Sequence, residues 1–156
     1  MKNIIKIIFI ILILAIIIIV TTLFGNNVIE PNISYAAGVN TSDIQLMARA
    51  INGEARGEPY EGQVAVGAVI LNRVKSSQFP NTIAGVIYQS GAFDAVSDGQ
   101  INLSPDATAK KAAQDALNGW DPSYGAIYYF NPSTATNKWI WSRPMTVTIG
   151  KHRFCK

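Results

Sequence analysis

The eleven residues from 64 to 74, VAVGAVILNRV, are apolar almost all the way round a helix. Such a helix has no face to give to water, so it must be central and covered by other elements. Ala65, Gly67 and Ala68 keep its surface small and let neighbouring backbones come close. Pro59 suits the first turn of this helix, and Glu61 suits its positive N-terminal end.

A second helix precedes it. Thr41-Ser42-Asp43 opens an apolar-periodic run, and Ser42 with Gln45 three residues on reads as a capping box. Ile44, Met47, Ala48, Ile51 and Ala55 recur at helical spacing, and Gly57 and Pro59 stop the run. Glu54 follows Ile51 by three and Met47 by seven, so it faces inward near the end of that helix. A carboxylate among apolar side chains loses hydration and its pKa rises. The negative end of the helix dipole pushes the same way. The result is a proton donor suited to near-neutral pH. A plainer reading pairs Glu54 with Arg49 or Arg56 and leaves it a structural task. Glu58 and Glu61 read as surface and capping residues.

The chain has 156 residues and a formal net charge of +3, enough for one domain once a targeting segment is set aside. Lys and Arg are scattered, and no basic run suggests a nucleic-acid groove. Mild positive charge fits an anionic polymer such as a bacterial cell wall. Cys155, the single cysteine, excludes an intramolecular disulfide framework and reads as a small buried thiol. Lys2 and Lys6 flank an apolar start, and residues 7–20 contain no polar side chain. Ser34 and Ala36 are small residues at the spacing of a cleavage site. Residues 1–36 are therefore expected to be a signal peptide or an N-terminal membrane anchor. Both readings place the rest of the chain outside the cytoplasmic membrane. Residues 37–41 close a polar linker, and residues 42–156 form the expected catalytic domain.

Beyond the central helix, residues 82–88 suggest a short helix. Residues 89–102 read as a polar loop around Phe93. The next helix is expected over residues 104–117, with Ser104 as N-cap, Pro105 and Asp106 in its first turn, and Gly119 just past its end. From Trp120 to Trp141 the chain is aromatic. Residues 126–130 are strand-like, with Tyr128 and Phe130 on one face and Tyr129 on the other. Trp139 and Trp141 are likewise assigned to one strand face. Such rings can stack on sugars or simply pack a core. Residues 146–149 and 152–155 read as a hairpin across Gly150-Lys151.

Several stretches, taken in order, resemble one family. They are LMARAINGEARGEPYEGQVAV from Leu46, Phe79-Pro80, GVIYQ from Gly85, Phe93, SDGQIN from Ser97, ALNGWDP from Ala116, AIYYFNP from Ala126, Trp139-Ile140-Trp141 and IGKH from Ile149. Together they resemble the spore cortex-lytic enzymes, the SleB/CwlJ-type cell-wall hydrolases, over nearly all of residues 42–156. The resemblance implies an α+β, lysozyme-like or lytic-transglycosylase-type domain, mainly helical with a small antiparallel sheet. It implies action on peptidoglycan glycan strands, without a cofactor, with Glu54 as general acid. Gln63, Phe93, Tyr128, Asn131, Trp139 and Trp141 are expected to line the groove, from residue type and position in the matched segments. A monomer is expected.

The chemistry agrees with one acid. Glycosidases of the two-carboxylate kind need a base or nucleophile besides the acid. Asp98 and Asp121 are the available partners, but both sit in hydrophilic, loop-like stretches where turn roles are normal. A single acid suffices for a lytic transglycosylase, which closes the muramic acid 6-hydroxyl onto C1. A hydrolytic muramidase is the alternative in the same class, and a non-catalytic wall-binding module the alternative from another. No zinc-ligand cluster is visible around His152, the single histidine. His152 and Cys155 are three apart, so on one strand they face opposite ways.

Overall fold

α2 (Tyr60–Lys75) is the central helix. The computed structural model describes residues 41–156, and within them Val64, Ala65, Val66, Val69 and Ile70 are fully buried. α1 (Thr41–Ala55) and α5 (Ala107–Leu117) pack against α2 and against each other. Small residues set this spacing. A Cβ added to Gly67 would lie 3.0 Å from both the Ala116 Cβ and the Ile51 Cδ1. α5 contributes Ala109, Ala112, Ala113 and Ala116, a stripe of methyl groups that fits close against its neighbours.

Three helix starts differ from the sequence expectation by one or two residues. α1 begins at Thr41, so Ser42 lies within the first turn and not at the N-cap, and Thr41 belongs to the helix and not to the linker. Pro59 is the N-cap of α2, with ψ at 148°, not its first helical residue. Asp106, and not Ser104, caps α5, its Oδ1 accepting the Ala109 N–H at 2.7 Å. A carboxylate at the positive end of a helix is a stronger acceptor than a hydroxyl placed two residues outside it. The Asn52 Oδ1 accepts the Asp106 N–H at 3.3 Å, which ties this cap to α1.

α3 (Ile83–Ile87) is the expected short helix, capped by Thr82. The polar stretch after it is more regular than a loop. It forms α4 (Asp94–Ser97) and a 3-10 turn, Gln100–Asn102, and both lie on α1. Phe93 and Ile101 anchor them in the core.

The sheet is three-stranded and antiparallel, ordered β1 (Tyr128–Phe130), β3 (His152–Cys155), β2 (Met145–Ile149). β2 and β3 form the expected hairpin across Gly150-Lys151. Gly150 has φ at +57°, and a Cβ there would collide with the Glu58 Oε2. That oxygen accepts the Lys151 N–H at 2.9 Å, so Glu58 holds the hairpin turn against the start of α2. α6 (Lys138–Trp141) replaces the strand expected for Trp139 and Trp141. Asn137 causes the difference, because its side chain accepts the Trp139 N–H at 2.9 Å and starts a helical turn.

The described residues thus form a mainly helical domain with a small antiparallel sheet. None of their helices is long and apolar enough to cross a membrane. The expected export segment, residues 1–36, lies outside the described residues.

Candidate active site

Glu54 is half-buried in the last turn of α1, where helix and sheet meet. Its Oε1 accepts the Ala95 N–H at 2.8 Å, and its Oε2 accepts the Tyr129 hydroxyl at 2.8 Å. Burial raises its pKa above the ordinary carboxylate value. The two hydrogen bonds oppose that rise, and the charges of Asp94 and Asp98 add to it. Among the described residues Glu54 forms no ion pair, so the pairing with Arg49 or Arg56 does not occur.

Each partner arrives for a local reason. Gly53 lets α4 approach, since a Cβ there would clash with the Ala95 Cβ. Ala95 N then reaches the carboxylate next door. Tyr129 takes the inner face of β1, against Phe154 at 5.9 Å and His152 at 5.1 Å between ring centroids. Burial, reinforced by the Glu54 charge, holds its phenol well above the usual range. Tyr129 therefore stays protonated and donates.

These groups open onto a cleft of about 710 Å³, within the size range of small-molecule sites. One wall comes from α1 and α4 and carries Gly53, Glu54, Asp94 and Asp98. The other comes from β1, the segment after it and β3, and carries Tyr129, Asn131, Ile140 and His152. Arg73 of α2 lines the cleft from a buried position, its Nε donating to the Ile127 carbonyl at 2.7 Å.

Of the residues expected in the groove, Glu54 and Asn131 line this cleft. Gln63 is buried, and its Nε2 donates to the Glu58 carbonyl at 3.3 Å. Phe93 is core, packed under the Arg73 guanidinium at 5.1 Å. Tyr128 lies between Arg73 and Arg143, at 5.8 and 5.4 Å, with Trp139 at its edge. Trp141 packs on Phe130 at 5.0 Å. These five stand outside the cleft, three of them behind its sheet-side wall.

Sequence reasoning passes over Tyr129, Arg73 and Asp94. The alternation along β1 already separates Tyr129 from Tyr128. Which face meets Glu54 depends on how β1 pairs with β3, and no local pattern carries that. Of the two proposed second carboxylates, Asp98 lines the cleft and is exposed. Asp121 does not line it. Its carboxylate accepts the Ser123 and Gly125 N–H groups and the Asn72 Nδ2, each at 2.9 Å, and holds its own loop. Cys155 is buried, and β3 turns it away from the His152 face. Burial pushes its thiol pKa up. No three His, Cys, Asp or Glu gather at metal-ligating distance among the described residues.

A sequence profile described as Cell Wall Hydrolase matches residues 57–155. The chain belongs to this family. A spore cortex-lytic enzyme from Bacillus cereus is 66% identical over 119 residues, covering 76% of this chain and 46% of that protein. The chain thus spans about half the length of this curated relative. The cell wall hydrolase CwlJ of Bacillus subtilis is 31% identical over 121 residues, or 73% of this chain and 84% of that one. Among solved structures, the catalytic domain of the germination-specific lytic transglycosylase SleB from Bacillus anthracis matches with a TM-score of 0.74. It is 64% identical, over 78% of this chain and 99% of that one. The catalytic domain of Bacillus cereus SleB matches with the same TM-score at 65% identity, over 78% and 94%. The described domain of this cell wall hydrolase family member therefore has the α+β, lytic-transglycosylase-type fold.

Proposed function

We propose that this chain cleaves the glycan strands of peptidoglycan as a lytic transglycosylase, with Glu54 as its general acid. The carrying observation is a half-buried carboxyl with a raised pKa, open to a cleft and held by two hydrogen bonds. In its neutral form Glu54 protonates the bridging glycosidic oxygen. As the carboxylate it then takes the proton of the muramic acid 6-hydroxyl, which closes on C1 to leave a 1,6-anhydro end. The Ala95 N–H and Tyr129 hydroxyl steady the carboxylate between those steps. Their pull on its pKa keeps it from becoming too weak an acid to give its proton up. Asn131 lines the opposite wall and serves as a substrate-binding residue.

Similarity to proteins named spore cortex-lytic enzymes supports cortex as the substrate, during germination, with vegetative wall as the other source. Action there requires export, which residues 1–36 would provide as a cleaved signal or a retained anchor. The catalytic unit is residues 42–156, working as a monomer.

A hydrolytic muramidase is the second reading. Asp94 and Asp98 favour it, because both line the cleft and either could activate water. Mass spectrometry of fragments released from purified cortex and vegetative peptidoglycan separates the two. Anhydro-muramic ends, lighter by one water, are expected. Reducing ends would establish the hydrolase, and the wall that yields more fragments identifies the substrate. No fragments from either wall would overturn both readings.

A further inference from the structure

The scattered Lys and Arg of the sequence are not scattered in the fold. Residues 122–156 hold five Lys or Arg and no Asp or Glu, whereas residues 41–121 hold six and nine. The sheet and its flanking turns are therefore strongly cationic beside a mildly acidic helical part. Two of the five cations stand in a layer of aromatic rings on the sheet face turned away from Tyr129 and Phe154. Arg143 lies over Trp139 at 5.2 Å and over Tyr128 at 5.4 Å. Arg153, between Phe130 and Thr148 in the strand register, lies over Trp141 at 5.3 Å.

Neither arginine has an Asp or Glu carboxylate within ion-pair distance among the described residues. The Arg143 Nε donates to the Lys156 backbone oxygen at 2.6 Å, and the Arg153 Nε is buried without a hydrogen-bond partner. Trp139 and Trp141 nevertheless remain 49% and 45% exposed. Half-exposed indoles grouped beside cations form a patch of the kind that marks an interaction site. This layer adjoins the cleft without being part of it. Phe130 lines the cleft while carrying Trp141, and the Trp141 Nε1 donates at 3.4 Å to the carbonyl of Ala135, another lining residue.

We propose that this aromatic–arginine face is a second wall-binding surface, which takes a carboxylate-bearing stretch of glycan strand outside the bond being cut. The reading rests on peptidoglycan as the substrate. Sugar C–H faces would stack on the exposed indoles, and the guanidinium groups would meet the free carboxylates of the stem peptides. The occupant is anionic because residues 122–156 hold five Lys or Arg and no Asp or Glu, and it is saccharide because rings alternate with the cations. Continuity with the cleft wall lets one strand occupy both places. The surface would retain the protein on polymeric wall and leave the chemistry at Glu54 untouched.

The test uses the full chain with the Arg143→Gln/Arg153→Gln double substitution. It is measured against insoluble peptidoglycan and against short soluble glycan fragments that fill only the cleft. KM for the polymer is expected to rise roughly tenfold, the low end of what a charged surface adds to local concentration. kcat, and turnover of the short fragments, are expected to stay at the wild-type value. Arg143→Lys/Arg153→Lys should restore most of the polymer KM. Wild-type binding should also weaken with added salt and on peptidoglycan whose carboxylates have been amidated, which requires no variant to fold. Equal binding to native and amidated wall, or an unchanged polymer KM in a folded double variant, would overturn the proposal. So would a double substitution that weakens binding to anionic lipid vesicles more than it weakens binding to peptidoglycan. If wild type cleaves no glycan, yet salt-sensitive wall retention is lost in the double variant, the surface stands and the transglycosylase reading falls.

Discussion

The helical part of the domain and its sheet divide the work at Glu54 unequally. Helices α1, α2 and α5 are held by small residues at close approach, so α1 is carried rigidly and the carboxyl with it. The sheet has three short strands and contributes a hydroxyl, through Tyr129, and much of the opposite wall. Position comes from the helices, and the balance of proton affinity comes largely from what the sheet and α4 lay against the carboxyl. A change to the carboxyl or to the helix that carries it should therefore lower activity directly. A change in what the sheet or α4 lays against it should move its pH dependence.

The largest effect is expected at the carboxyl itself. Glu54→Gln should lower cleavage by roughly 10²–10⁴-fold, the usual worth of a positioned acid, with wall binding retained in sedimentation assays. The stability effect has the opposite sign. The folded state raises the Glu54 pKa, so it favours the neutral carboxyl. That contribution is complete below the ordinary carboxylate value of about 4.3 and is lost as pH rises through the raised value. Glu54→Gln should therefore melt above wild type at pH 7 to 8, and the gap should close near pH 3. A variant less stable at pH 7 than at pH 3, relative to wild type, would contradict the assigned burial.

Gly53→Ala tests the helical side without touching the acid. Its methyl group must displace the Ala95 Cβ, which has no rotamer to swing aside and moves only with its backbone. A cost of about 1–3 kcal/mol is expected in denaturant unfolding. Turnover should fall further than that loss of folded protein explains, because Ala95 N leaves the carboxylate. Full activity in the folded fraction would show that the Ala95 hydrogen bond is dispensable.

Tyr129→Phe probes the sheet side. Its hydroxyl lowers the Glu54 pKa, so removing it should raise that pKa and carry the alkaline limb of the kcat profile to higher pH. A limb that moves down, or stays, would break the division between helices and sheet. The smallest change is Asp94→Asn. Asp94 raises the Glu54 pKa through space, so neutralising it should move the same limb slightly down. The shift should shrink at high ionic strength, because Asp94 is exposed.

Legibility followed the range of the interactions. Glu54 was visible because helical spacing alone turns it toward the Met47–Ile51 stripe. The buried central helix and the β2–β3 hairpin were visible for the same reason, being set by patterns a few residues long. The sequence pattern places Trp139 and Trp141 on a strand, whereas a single Asn137 cap decides the helical turn that holds them. Phe93 looked like a groove residue in a polar loop. It is buried in the core, beside Arg73 of a different element, whose guanidinium lies over the rings of Phe79, Phe93 and Tyr128.

By itself the sequence determined that a covered helix must stand at the centre, that an inward-facing acid ends the helix before it, and which family these segments resemble. All three rest on periodicity and residue order, which are local. Tertiary structure alone decided that Ala95 and Tyr129 hold that acid, and that Asp121 serves its own loop while Asp94 and Asp98 face the cleft. It also decided that cations from the last thirty-five residues share one aromatic surface. Each of these depends on contacts between residues far apart in the chain, brought together by the packing of α4 on α1 and the pairing of β1 with β3.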